Sequence, residues 1–303
     1  MHEMPAKPAL KRSVRRLARG AAFRVGTRDR VERTVLASPA LRRLAFRRAK
    51  RYVAGVDEGD AIDTVRALQS VGLAASVDLF GENTDDASYA DAVTERYVAL
   101  VATLADHPRS YVSLDCSHLG LDQDPARCGE RVERIAASLR GDARLQLGAE
   151  QSARTDAILG IAYTAAQKGL PVMATVQANL RRSADDVEAL ANARVPVRLV
   201  KGAYVEDDQV AHAWGPPTDG AYIALAQRLA ELGADHSLAT HDPALLDQLT
   251  RDRHEATLEF LLGVRSEDAR RLAAAGHQVR IYVPFGPRWF RYYARRAAES
   301  IRA

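Results

Sequence analysis

Cysteine is almost missing from this sequence: the 303 residues include only Cys116 and Cys128. Two thiols are too few for a disulfide framework or a cysteine-based zinc site. The eight histidines are scattered, and no i, i+4 pair combines with a carboxylate in the zinc-protease manner, so no metal is expected. Long apolar runs are also absent, and nothing approaches the roughly 20 residues needed to span a bilayer. No apolar secretory segment follows the first methionine. Three loops that mark common chemistries are missing as well: a Gly-x-Gly-x-x-Gly turn after a strand, a Walker-type phosphate loop and a Gly-x-Ser-x-Gly elbow. What remains is the composition of a cytosolic globular protein, 47% hydrophobic and long enough for a full core.

Acidic residues are scarce at the start. Residues 1–51 hold 16 Lys or Arg against Glu3, Asp29 and Glu32, and the remainder carries 27 basic and 36 acidic side chains. A basic arm of this kind suits an anionic membrane surface, or simply a solvated helical face. It lacks the interleaved aromatics on which single-strand binders stack bases, so nucleic acid is not the expected partner. The arginines run on to Arg51 without a break, which argues against a transit peptide.

The arm and the segment after it read as helical. Ser38-Pro39 is a helix start with proline in the first turn, and Asp60 opens a second helix that ends by Gly72. From there the pattern alternates. Strands are predicted over residues 74–79, 111–116, 144–149, 172–177, 197–201, 236–240, 257–262 and 278–283. Helices are predicted over 89–105, 125–140, 152–167, 184–193, 219–232, 243–250 and 266–275, with a last one from Pro287. Strands separated by helices imply a parallel sheet, and eight such units imply a closed (β/α)8 barrel with its site at the C-terminal strand ends. The expected division is a basic helical arm over 1–70 and a catalytic barrel over 71–303, with the final helix lying over the site. A doubly wound open sheet is the alternative, weakened by the missing glycine-rich turn.

The most informative stretch is Val197 to Glu206, V-R-L-V-K-G-A-Y-V-E. Arg198 and Lys201 sit in an otherwise buried pattern, and a buried cation is costly unless an anion meets it. A strand ending in Lys-Gly-Ala-Tyr offers two cations, open backbone and an aromatic plate, which suits an electron-rich or phosphorylated cofactor. The other strand ends are chemically loaded too: Asp78 and Glu82, Asp115 and Cys116, Gln177, Thr240 with His241 and Asp242, Glu259, and Tyr282. The last helix carries Arg295, Arg296 and Glu299.

These motifs resemble the proline dehydrogenase family. Arg198-Leu-Val-Lys-Gly-Ala-Tyr204 is similar to its strand-5 signature and Ala239-Thr-His-Asp242 to its strand-6 end. Arg280-Ile-Tyr-Val-Pro-Phe-Gly286 and the helix from Trp289 to Glu299 resemble its last strand and helix, and Asp78-Leu-Phe-Gly-Glu82 its first strand end. The resemblance spans roughly residues 70–300. It implies an FAD-dependent barrel enzyme that oxidises a C–N bond to an imine by hydride transfer. Gln177, Arg198, Val200, Lys201, Gly202, Ala203, Thr240, His241 and Glu299 would hold the FAD. Tyr204 and Tyr282 would wall the substrate, Arg295 and Arg296 would bind its carboxylate as planar forks, and Glu82 would pair with Arg295 as a gate. The family's electrons pass to a membrane quinone, which would give the basic arm a use at the inner membrane face.

The sequence departs from the family where charge matters. Strand 2 of the family carries a substrate-contacting lysine, and Asp115 stands there. Strand 3 carries its aspartate partner, and Gly148 stands there. Aligned from Gly263, the family's strand-7 Glu and Gln become Thr257 and Glu259; after Tyr204, Val205 replaces a common tryptophan. Replacing a cation by an anion reverses an interaction worth several kcal/mol at intermediate dielectric. Three readings stay open: oxidation of proline or a close relative, the same chemistry on a different amine or N–N compound facing Asp115, and a flavin-binding pseudoenzyme.

Overall fold

Along β1 (Ala74–Leu79), Ala75, Val77 and Leu79 alternate with Ser76 and Asp78, and every one of them is buried. A strand hidden on both faces but polar on one of them belongs in a barrel whose interior is polar and whose outer face meets helices. The structure, a computed structural model, describes residues 29–251 and 255–299; the part of the expected arm that falls on residues 1–28 lies outside the described residues. β1 is followed by β2 (Ser110–Leu114), β3 (Leu145–Leu147), β4 (Val172–Gln177), β5 (Val197–Val200), β6 (His236–Ala239), β7 (Thr257–Leu261) and β8 (Val279–Phe285). Each pairs in parallel with the next, and β8 pairs with β1 to close the barrel in chain order. The expected (β/α)8 topology is therefore present and the open-sheet alternative is not.

Helices α4 (Ala87–Leu104), α5 (Pro125–Ser138), α6 (Thr155–Gln167), α7 (Ser183–Asn192), α8 (Pro216–Glu231), α9 (Pro243–Arg251) and α10 (Ser266–Ala274) alternate with the strands. Three helices precede β1: α1 (Asp29–Ala37), α2 (Pro39–Ala49) and α3 (Glu58–Gln69). Their starts follow capping chemistry. The Ser38 hydroxyl accepts the Leu41 N–H, and Asp124 accepts that of Arg127, each just before a first-turn proline. The α3 start differs from the expected Asp60 because the Asp57 side chain takes the Asp60 N–H, so the helix opens at Glu58. Helix α8 begins three residues early for a related reason: Gly215, at φ +97°, turns the chain, and Pro216 and Pro217 fall where a missing N–H is harmless. β8 runs to Phe285, two residues beyond the expected end at 283, and so includes Pro284. Pro284 is level with Asp78 and its carbonyl still accepts the Ala54 N–H at 2.9 Å, so the lost donor breaks nothing.

The outward strand residues and the inner helix faces form one apolar layer, joined by Ala61, Ile62 and Val65 of α3. A second, smaller cluster fastens α11 (Trp289–Glu299). Trp289, Phe290 and Tyr292 pack with Ala49, Tyr52 and Val53, and Val35 and Phe46 of α1 and α2 lie against them. The Phe46 and Trp289 rings meet at 5.1 Å, and Arg291 pairs with Glu32 at 2.7 Å. At its other side Tyr292 meets Phe80, just beyond β1, at 5.1 Å and Tyr282 of β8 at 6.3 Å. So α11 lies over the C-terminal end of the barrel, pinned by α1 and α2. Among the described residues no helix is long and apolar enough to cross a membrane.

Candidate active site

At the ends of β5 and β6 the chain gathers positive charge. Arg198 points into the barrel, where its Nε donates to Glu259 Oε2 at 2.6 Å. Lys201 lies between two carboxylates, paired with Asp219 of α8 and with Asp242 at 3.2 Å. Gly202 follows at φ +108°, and a Cβ there would fall 2.0 Å from Asn179 Oδ1. Only glycine fits that approach. Asn179 Oδ1 is itself buried with no hydrogen-bond partner among the described residues. Gln177, at the end of β4, is buried and donates to the Glu150 carbonyl at 2.8 Å. Val200 is level with Gln177 and Ala239, and Ala203 is exposed.

His241 is neutral. Its Nε2 accepts the Leu261 N–H at 2.9 Å, which leaves the proton on Nδ1. Burial, then the charges of Arg296, Arg198 and Arg265, push its pKa down to about 4. The ring is therefore a fixed hydrogen-bond donor in neutral solution. Thr240 beside it is buried, and its hydroxyl accepts the Asp242 N–H at 3.2 Å.

The opposite side of the mouth, from β1 to β3, is acidic. Asp78 is almost fully buried and accepts hydrogen bonds from Tyr282 at 3.0 Å and Tyr97 at 3.3 Å. Burial pushes its pKa up to about 7, against the pull of those hydroxyls, of Ser113 and of the Arg198 charge. Asp115 is half-buried, and its carboxyl is held well above the ordinary range, first by burial and then by Asp78, Glu150 and Glu82; Arg295 opposes this. Asp115 and Gly148 are coupled by shape. A Cβ on residue 148 would fall 2.0 Å from Asp115 Oδ1, so the aspartate occupies the space that a side chain on β3's end would need.

Four participants were not legible in the sequence: Glu150, Arg154, Glu206 and Tyr97. Glu150 is buried and takes the Ser117 N–H at 2.8 Å and an Arg154 guanidinium N–H at 2.6 Å. Arg154 also reaches Asn83 at 2.7 Å and Asp122, tying three loops of the rim together. It lies inside what reads as the start of a helix; the chain instead makes a short 3-10 turn, Ser152–Arg154, before α6. Glu206 fixes that turn by accepting from the Ser152 N–H at 2.8 Å and hydroxyl at 2.6 Å, which also holds the loop bearing Tyr204. The fourth is Tyr97, whose hydroxyl bridges Asp78 and the Leu79 carbonyl, at 3.3 and 3.2 Å.

The roof is α11. Arg295 and Arg296 are half-buried, and Arg296 lies 5.4 Å from the Tyr292 ring centroid. The charge of Arg295 acts on Asp115 and Tyr204, and that of Arg296 on His241. Tyr204 is half-buried, its hydroxyl pushed above the usual phenol range by burial and by Asp115, Glu150 and Glu82. Tyr282 is held high in the same way by burial and Asp78. Glu82 is half-buried at the same rim; among the described residues it makes no ion pair with Arg295, and both act on Asp115 through their charge. The Glu299 side chain lies outside the described residues. Among the described residues no cluster of His, Cys, Asp and Glu could hold a metal ion.

A closed barrel with a two-signed mouth, roofed by Arg295 and Arg296, defines an α/β-barrel protein with an acidic and a cationic wall at the C-terminal strand ends. The family model for proline dehydrogenase matches residues 61–301, and the chain belongs to the proline dehydrogenase family. It is 32% identical to proline dehydrogenase 2 of Bacillus subtilis over 260 residues, covering 83% of this chain and 86% of that one. It is 31% identical to the proline dehydrogenase of Deinococcus radiodurans over 302 residues, covering 94% and 95% of the two chains. Among solved structures, proline utilization A of Bdellovibrio bacteriovorus, inactivated by N-propargylglycine, superposes with a TM-score of 0.78 at 20% identity. That match covers 94% of this chain and 37% of the larger one, so the chain spans little more than a third of that protein and the likeness is one of fold.

Proposed function

We propose that this chain oxidises proline or a close cyclic relative at the C–N bond, giving the imine, with FAD held at the ends of β4, β5 and β6. The observation that carries this reading is the cationic wall: Arg198, Lys201 and the Nδ1–H of neutral His241 face one mouth, beside a glycine whose Cβ would clash with Asn179. These residues fit a flavin. They offer donors for an electron-rich ring, and open backbone at Gly202 with the orphaned Asn179 Oδ1 for a polar cofactor edge. FAD bound there supplies the acceptor for the hydride that leaves the carbon beside the amine nitrogen.

The chain's own residues do the rest. Arg295 and Arg296 present planar forks to a substrate carboxylate, and their mutual repulsion is eased when that anion enters. Tyr204 and Tyr282 flank the ring, and α11 over the mouth keeps water from the reacting atoms. Burial and the neighbouring carboxylates bias Asp115 toward its protonated form, which can donate a hydrogen bond to the substrate carboxylate instead of repelling it. The reading is tested by steady-state oxidation of L-proline with an artificial electron acceptor and trapping of the imine product. Turnover is expected; its absence in a flavin-loaded, folded protein contradicts it.

Asp115 beside Gly148 supports a second reading, in which the substrate is a different amine with a hydrogen-bond donor facing Asp115. The double change Asp115→Lys with Gly148→Asp separates the two. Gly148→Asp alone collides with Asp115, whereas the pair replaces the clashing carboxylate oxygen with a flexible side chain of opposite charge. A lysine here favours a substrate carboxylate by about 1–2 kcal/mol after solvent screening. If these positions select the substrate, kcat/KM for proline rises roughly tenfold or more. An unchanged or lower value sinks that reading.

A further inference from the structure

Glu259 stands on β7 at 1% exposure, inside the barrel and directly behind Arg198. Its two oxygens serve three partners. Oε2 takes the Arg198 Nε–H at 2.6 Å, Oε1 takes an Arg280 N–H at 3.3 Å, and the Gln146 amide donates to both at 3.1 and 3.4 Å. Arg280 is held as well from its other side, with its guanidinium carbon 3.6 Å from the Tyr111 ring centroid. The register places Glu259 level with Ala239 and Arg280, while Arg198 is level with Ser237 and Thr257. Glu259 thus stands one inward position nearer the mouth than Arg198's own level, and Thr257 occupies the deeper one. Burial opposes its ionisation, but Arg198 and Arg280 outweigh burial and bring its pKa below the ordinary range.

We infer that Glu259 is a positioning residue that fixes the Arg198 guanidinium by its Nε edge and lowers the reduction potential of the bound flavin by offsetting the charge of Arg198. This rests on the functional reading above. A cation beside the flavin stabilises the negative charge that the ring gains on reduction. An ionised carboxylate behind that cation, in a water-poor barrel, takes part of the stabilisation away. Arg198 keeps its place, yet acts with less than a full charge. Among the described residues no other carboxylate forms an ion pair with Arg198, so one substitution reaches the effect.

The test is Glu259→Gln in the flavin-loaded protein, with the midpoint potential measured by equilibration against a reference dye. The amide keeps the shape and removes the charge. The reduced-to-oxidised ratio at a fixed solution potential is expected to rise about tenfold or more, which is about +30 mV for a two-electron couple. Glu259→Asp is expected to stay near the parent. Gln leaves Arg198 and Arg280 without their anion, so the variant can fail to fold. The double change Glu259→Gln with Arg280→Gln then removes one of the two stranded cations, still leaves Arg198 without its anion, and is expected to shift the potential the same way. A potential that is unchanged or more negative in a folded, flavin-bound variant overturns the inference, and so does failure of both variants to fold, which would make Glu259 a part of the fold alone. A parent protein that binds no flavin overturns the functional reading instead.

Discussion

Asp78 is a carboxylic acid with two phenols on it and almost no water. With its pKa raised to about 7, the folded protein keeps the Asp78 proton that the unfolded chain sheds near 3.8. Between those values the folded state binds more protons, so stability falls as pH rises, by up to about 1.4 kcal/mol per unit, and levels off above about 7. Asp78→Asn removes that slope; its amide oxygen keeps an acceptor for one phenol, and its NH2 faces the oxygen of the other. Urea melts at pH 4 and pH 8 are expected to show the variant gaining on the parent by a few kcal/mol at the higher pH; a difference independent of pH would show that Asp78 does not hold its proton. At this scale the motif residues were legible, because Arg198, Lys201, Gly202 and His241 carry their chemistry in local spacing. Their counter-charges were not. Glu259 lies 61 positions from Arg198, across an intervening strand, and nothing local in either segment names the other. The sequence did expose the joint loss of the strand-2 and strand-3 charges, but the volume conflict between Asp115 and Gly148 needed coordinates.

Among the elements, α11 joins packing to the proposed binding role. Its buried aromatics anchor it to α2 and its arginines hang over the mouth, so under the proposed function packing and binding are coupled through one helix. Trp289→Ala empties the seat against Phe46 and is expected to cost about 3–5 kcal/mol if the cavity does not collapse. Because Arg295 and Arg296 ride on the same helix, KM for the amine is expected to rise more than kcat falls. Thermal melts with steady-state kinetics check this; a lowered Tm with unchanged KM would separate the helix from binding. The periodicity of strands and helices was legible nearly throughout, since each outward strand row and inner helix face is apolar. Errors fell at ends, where single contacts decide: the Asp57 cap of α3, the two prolines opening α8, and Pro284, whose position in β8 needs no N–H. The Ser152–Arg154 turn is of the same kind, held by Glu206 from a distant loop.

For the molecule as a whole, barrel closure does what no single motif does: it sets eight chemically loaded strand ends around one mouth. Adjacent elements divide that mouth by sign, with carboxyl groups from β1 to β3 and cations or neutral donors at β5 and β6. Under the proposed function such a field draws the substrate carboxylate to Arg295 and Arg296, and a buried Asp115 carboxyl biased toward its protonated form adds a donor to the same group. The topology was readable because eight repeats of the βα unit leave few alternatives. The division of charge was not, because it depends on which residues burial neutralises. The most direct measurement is anaerobic titration of the purified flavin-loaded protein with L-proline, following the oxidised-flavin band near about 450 nm. The account predicts loss of that band at saturating proline. A flavin that stays oxidised, or a folded protein that takes up no flavin, would contradict it.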